Sequence, residues 1–119
     1  MSQNSSSEAR AHLDWIKEKI QEYEKNGNTG VEDEMRDSVL GICVRSGWTP
    51  INEKLEAREF QILLSTGGPA CAIFGTMSES GVDDVEIKHQ DWGEEWQRLP
   101  MTEEESEALV RFASLILCV

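Results

Sequence analysis

The sequence predicts a two-layer α+β domain: an antiparallel sheet of three to four strands, with an N-terminal and a C-terminal helix packed on one face. Three observations predict it. Apolar residues recur at three- and four-residue steps near both ends of the chain, they alternate singly through the middle, and glycine- and proline-bearing breaks divide that middle region. The 119 residues suit one core around one sheet. Residues 8–119 are expected to form this single domain, preceded by a flexible N-terminal segment over residues 1–7.

From Glu8 to Lys25, Leu13, Ile16, Ile20 and Tyr23 mark one face of an amphipathic helix, with Ser7 as the expected N-cap and Asn26-Gly27 as the stop. Trp15 lies partly off that stripe. Residues 26–30 read as a loop, and the acidic stretch Val31–Asp37 as a helical turn. Ser38–Arg45 is expected to be a strand with Leu40, Ile42 and Val44 on one face, broken by Ser46-Gly47-Trp48-Thr49-Pro50. A second strand, Glu59–Thr66, alternates Phe60, Ile62 and Leu64 against polar neighbours. Gly67-Gly68-Pro69 is the expected turn into Ala70–Met77, whose almost continuous apolar run predicts a central strand covered on both faces or nearly so. Val85–Asp91 alternates Val85, Ile87 and His89 against Glu86, Lys88 and Gln90, as a half-exposed strand does. Beyond Pro100, Thr102 to Glu105 has the T-x-x-E form of a capping box, and Leu109, Phe112, Ala113, Ile116 and Leu117 follow at helical spacing. The predicted core is Leu13, Ile16, Ile20, Leu40, Ile42, Ile62, Leu64, Ile73, Leu109, Phe112 and Ile116.

The formal net charge is −12, which opposes direct binding to nucleic-acid phosphate or an anionic membrane and favours basic partners. The imbalance is uneven. Residues 61–119 hold eleven acids against Lys88, Arg98 and Arg111, a net of −8, leaving −4 for the first sixty. No apolar run approaches the roughly 18 residues of a membrane span, and Met1–Ser7 lacks the basic-then-apolar pattern of a signal peptide, so a cytoplasmic location is expected. Cys43, Cys71 and Cys118 are an odd number without close spacing and read as reduced thiols.

No arrangement of residues fixes a chemistry. Cys71 with His89 and Asp91 is the one combination on neighbouring predicted strands that could serve a cysteine-dependent hydrolase or transferase. His89, beside Val85 and Ile87, suits a local hydrogen bond equally well. Cys and His are not paired at metal-ligand spacing, so neither a metal site nor a cofactor is expected. The Gly67-Gly68 turn lacks the following Lys-Ser/Thr of a phosphate loop.

The segment Gln90–Trp96 sets Trp92 and Trp96 among Asp91, Glu94 and Glu95. The two rings either close the end of the core or anchor a partner within a charged rim. The runs Asp83-Asp84-Glu86, Asp91-Glu94-Glu95 and Glu103-Glu104-Glu105-Glu107 are either solvated faces or one surface imitating phosphate spacing, which would compete for a Lys/Arg-lined channel. Asp91, Trp92, Glu94, Glu95 and Trp96, with Asp83, Asp84 and Glu86, are therefore the candidate binding residues. A basic protein or protein–nucleic-acid complex is the expected partner, and a second copy of the chain is a further candidate.

Ile62-Leu63-Leu64-Ser65-Thr66-Gly67-Gly68-Pro69-Ala70 and Gln90-Asp91-Trp92-Gly93, preceded by Val44-Arg45-Ser46-Gly47-Trp48, resemble a group of small proteins of tailed phages and prophages. The likeness spans roughly residues 38–117 and excludes the N-terminal helix. It implies a phage origin and an accessory role more than an activity; by analogy of size, charge and origin, an inhibitor of host defence such as an anti-CRISPR protein acting in the host cytoplasm is expected, with a small hydrolase or a structural or assembly component of the phage as alternatives. It carries over no catalytic residue.

Overall fold

The computed structural model describes residues 5–27, 30–66 and 69–119. Helix α1 spans Ser5–Asn26. It begins before the expected Glu8, so Ser7 lies within its first turn instead of capping it, and residues 5–7 of the expected flexible segment are helical. Residues 1–4 lie outside the described residues. Gly27 ends the helix as expected, at φ 72°, with its N–H donating to the Tyr23 carbonyl at 2.9 Å.

The acidic stretch that reads as a turn is a short helix, α2, Val31–Asp37, held to the core by buried Val31 and Met35. Five strands follow: β1 Gly41–Ser46, β2 Ala57–Ser65, β3 Ala70–Ser78, β4 Gly81–Gln90 and β5 Gln97–Arg98. They form one antiparallel meander in the order β1-β2-β3-β4-β5. The expected sheet of three to four strands is thus one or two strands short; the strand that went unread is β5, whose two residues are too few to show alternation. Gly67 and Gly68 of the expected β2–β3 turn lie outside the described residues.

Helix α3, Glu103–Leu117, completes the chain. Its capping box is formed: the Glu105 N–H donates to Thr102 Oγ1 at 3.2 Å, and the Thr102 N–H donates to Glu105 Oε1 at 2.9 Å. Its other end carries no basic residue of its own. Arg36 of α2 supplies one, donating to the carbonyls of Leu115 at 2.6 Å and Ile116 at 3.4 Å, so the orphan acceptors of one helix orient the other.

Helices α1 and α3 pack on each other and on one face of the sheet, over β3 and β4. Leu13, Ile16, Ile20, Leu109, Phe112 and Ile116 there meet Ile62, Leu64, Ile73 and Ile87. Within that face Phe60 lies across Gly75, its register partner: a Cβ on Gly75 would stand 2.3 Å from the Asp84 carbonyl oxygen and 2.4 Å from the Phe60 ring.

Two expectations fail for the same reason. Leu40 and Ile42 are 59% and 47% exposed instead of buried, since β1 is the sheet's edge and the long helices lie over its middle. The opposite face of β3 is not covered by a helix either: Ala72 is buried, Phe74 half-buried and Thr76 exposed. An apolar run therefore marked a central strand without marking two covered faces.

Candidate binding surface

β4 decides where most of the candidate residues stand. Val85, Ile87 and His89 point into the helix layer, which puts Asp84, Glu86, Lys88 and Gln90 on the open face. Asp84 pairs with Thr76 and Val82 with Met77, so Asp83 between them is the extra residue of a bulge. Its carboxylate accepts a hydrogen bond from Ser78 Oγ at 3.3 Å.

At the other end of β4 the chain reverses at Asp91–Glu94. The Glu94 N–H donates to the Asp91 carbonyl at 3.0 Å, and Gly93 takes φ 76°, the left-handed value this turn needs at its third position. Gln90 Nε2 donates to the Glu94 carbonyl at 2.5 Å and ties the turn to the strand. Trp92 is thereby left at the crown, 85% exposed, between Asp91 and the exposed Glu94 and Glu95.

Trp96 has a different environment. Its ring meets Phe74 edge to face at 5.2 Å on the open face of the sheet, and Lys88 Nζ stands 4.9 Å from the centre of the Phe74 ring on the same face. Neither Trp closes the helix-side core. Trp92 stands in solvent, and Trp96 packs edge to face on Phe74 at the base of the turn.

Across β1 to β4 the open face holds a shallow depression of about 610 Å³. Its charges are internally compensated: Glu86 lies 3.5 Å from both Lys88 and Arg98, and Arg45 pairs with Glu59. The acidic excess is accordingly not on this face.

The structure sets two of the three acidic runs at opposite ends of β4. Eight residues of strand at about 3.4 Å each put roughly 27 Å between Asp83 and Asp91. Glu105, the most buried acid, turns into the helix layer, where Arg10 and its own cap hold its pKa below the ordinary carboxylate value; the backbone hydrogen bond at Thr102 is the largest cause. Glu104 lies 3.7 Å from Lys17. What remains at the turn is an acidic and aromatic cluster of Asp91, Trp92, Glu94 and Glu95.

No family model, curated protein or solved structure matches the chain.

The candidate nucleophile also finds its place. Cys71 and His89 are direct cross-strand partners on β3 and β4, as neighbouring strands predict. Yet Cys71 is wholly buried, and burial pushes its thiol up to about 12, with the negative charge of Glu8 acting in the same direction. A thiol so placed holds its proton at neutral pH and has no access to a substrate. Among the described residues no group of three His, Cys, Asp or Glu side chains is arranged to hold a metal ion, and no helix is long and apolar enough to cross a membrane.

Sequence reasoning missed the exposure of the apolar residues Leu40, Ile42, Val44, Trp48, Ile51 and Leu55, which lie just before β1, on it, or in the connection to β2. The two polar-flanked positions Trp48 and Ile51, beside Pro50, carried a usable signal: large apolar residues in a stretch without strand or helix periodicity have no face of an element to bury them.

Proposed function

We propose that the protein is a non-catalytic phage accessory protein that binds and inhibits a basic host protein or protein–nucleic-acid complex, as anti-CRISPR proteins do. The observation that carries this reading is the turn at the end of β4, where Trp92 stands in solvent between three carboxylates. A large ring that loses water on contact, rimmed by acids, combines an anchor with charge complementarity to Lys and Arg. The net charge of −12 supports the sign of the partner, and the likeness to phage and prophage proteins supports the setting. The separation of two acidic runs at opposite ends of β4 argues for a local contact at this turn in preference to an extended imitation of a phosphate backbone.

The test is an affinity capture from host lysate with three baits: wild type, Trp92→Ala, and Glu94→Lys with Glu95→Lys. A basic protein recovered by wild type and lost from both variants supports the reading. Identical recoveries from all three would sink it. The catalytic alternative is separated by Cys71→Ser, which abolishes a cysteine-dependent activity and leaves the captured partner in place. Recovery of the protein within purified virions would favour a structural or assembly role.

A further inference from the structure

The sheet has two unlike edges. β5 is two residues long, carries Arg98, and is followed at once by Leu99 and Pro100. Short length, charge and proline are the features by which proteins prevent an edge from pairing further. β1, at the other edge, has none of these protections. Its six residues, Gly41–Ser46, include no proline and a single charge, Arg45, which is already bound to Glu59 of the neighbouring strand.

On the helix side of that strand Leu40, Ile42 and Val44 remain 59%, 47% and 59% exposed, while Ile62 and Phe60, the register partners of Ile42 and Val44, are buried. Alongside runs a groove of about 250 Å³ between β1 and the helix layer, bounded by Arg36, Val39, Ile42 and Ile116. An edge able to pair, an apolar stripe and an adjoining groove thus coincide.

We propose that β1 pairs antiparallel with β1 of a second copy, joining two five-stranded sheets into one of ten strands. Two-fold symmetry about an axis normal to the sheet allows only registers in which a residue faces its own copy. An axis at Ile42 sets Ile42 against Ile42 and Leu40 against Val44. An axis at Cys43 sets Ile42 against Val44. Both keep the two helix layers on one side and bring apolar side chains together in rows that extend each monomer's core.

Neither register places like charges opposite each other, since Arg45 meets Val39 or Gly41 of the second copy. A basic partner finds no free acid on this strand, which is why the self-pairing is favoured here. Leu40, Ile42 and Val44 expose on the order of 250 Å² of apolar side chain, and the unpaired backbone of the strand adds hydrogen bonds, which suits a small, concentration-dependent interface below the roughly 800 Å² per partner of a standard stable one.

Each copy carries −12, so long-range repulsion opposes assembly and salt should strengthen it by screening. This is the reverse of the salt dependence expected for a basic partner at Trp92. Light scattering of the full chain, kept reduced, at about 100 μM, where a micromolar dimer is largely assembled, should read twice the 13.4 kDa chain mass. Ile42→Lys and Val44→Lys should each read one chain mass with unchanged far-UV circular dichroism, because both side chains already meet water. Trp92→Ala should leave the dimer intact. A wild type of one chain mass at that concentration, a dimer indifferent to both lysine variants, or a dimer that dissociates as salt rises would overturn the proposal.

Discussion

Ile42 and Ile62 are the same residue on the same face of adjacent strands, directly paired in register, and they offer a controlled test of where the core ends. Ile62 is wholly buried and Ile42 is 47% exposed. Truncation to Ala removes three carbons. At about 0.8 kcal/mol per buried methylene, Ile62→Ala loses about 2.4 kcal/mol of transfer energy, and the cavity left under α1 and α3 brings the total to about 2–5 kcal/mol. Ile42→Ala loses about half the transfer term and leaves no enclosed cavity, so its cost is about 1 kcal/mol. For a chain of this size about 4 °C of melting temperature accompanies each kcal/mol, which separates the two variants by at least about 4 °C. Thermal unfolding followed by circular dichroism should be run at low micromolar protein, so that pairing through β1 does not add to the loss at Ile42. If Ile42→Ala melts as low as Ile62→Ala under those conditions, the helix layer covers β1 in the single chain and the boundary of the core described above is wrong.

Four further outcomes are expected. Gly75→Ala should destabilise the fold by about 1–3 kcal/mol, because the added methyl meets the Asp84 backbone as well as the Phe60 ring and no side-chain rotation relieves the former; a urea midpoint equal to wild type would refute the close approach. Under native conditions a thiol reagent should modify Cys43 and Cys118 and spare Cys71, whose burial raises its pKa to about 12; mass spectrometry reads this directly, and rapid labelling of Cys71 would contradict its burial. Glu105 has a depressed pKa in the folded chain, so its contribution is complete above the unfolded carboxylate value and disappears as pH falls through the folded one; the stability gap between wild type and Glu105→Gln should therefore close on acidification, and a constant gap from neutral pH to the acid limb would refute the assignment. Association with a basic partner should weaken as salt rises, and reversing Glu94 and Glu95 to Lys should slow it far more than reversing Glu103 and Glu107, which flank the α3 cap instead of Trp92.

The sequence by itself determined the features that depend on neighbours along the chain. Alternation in Phe60, Ile62 and Leu64 and in Val85, Ile87 and His89 set the pleat. The three- and four-residue steps of Leu13, Ile16 and Ile20 set the buried face of α1, and Thr102 with Glu105 set the start of α3, because side-chain direction and capping are local consequences of helix and strand geometry. The same locality made Cys71 and His89 neighbours once two adjacent strands were recognised. Only the tertiary structure decided which of those faces are covered. Leu40, Ile42 and Val44 alternate as cleanly as Phe60, Ile62 and Leu64, yet they lie at the sheet edge, where the helix layer gives out; how far two helices reach across five strands depends on their packing and not on any residue in β1. It likewise decided that Trp92 stands free while Trp96 rests on Phe74, and that Glu86 is neutralised while Glu94 and Glu95 are not. Phe74, Lys88 and Arg98 come from strands brought together by pairing, and a contact across strands has no periodic trace in the chain that makes it.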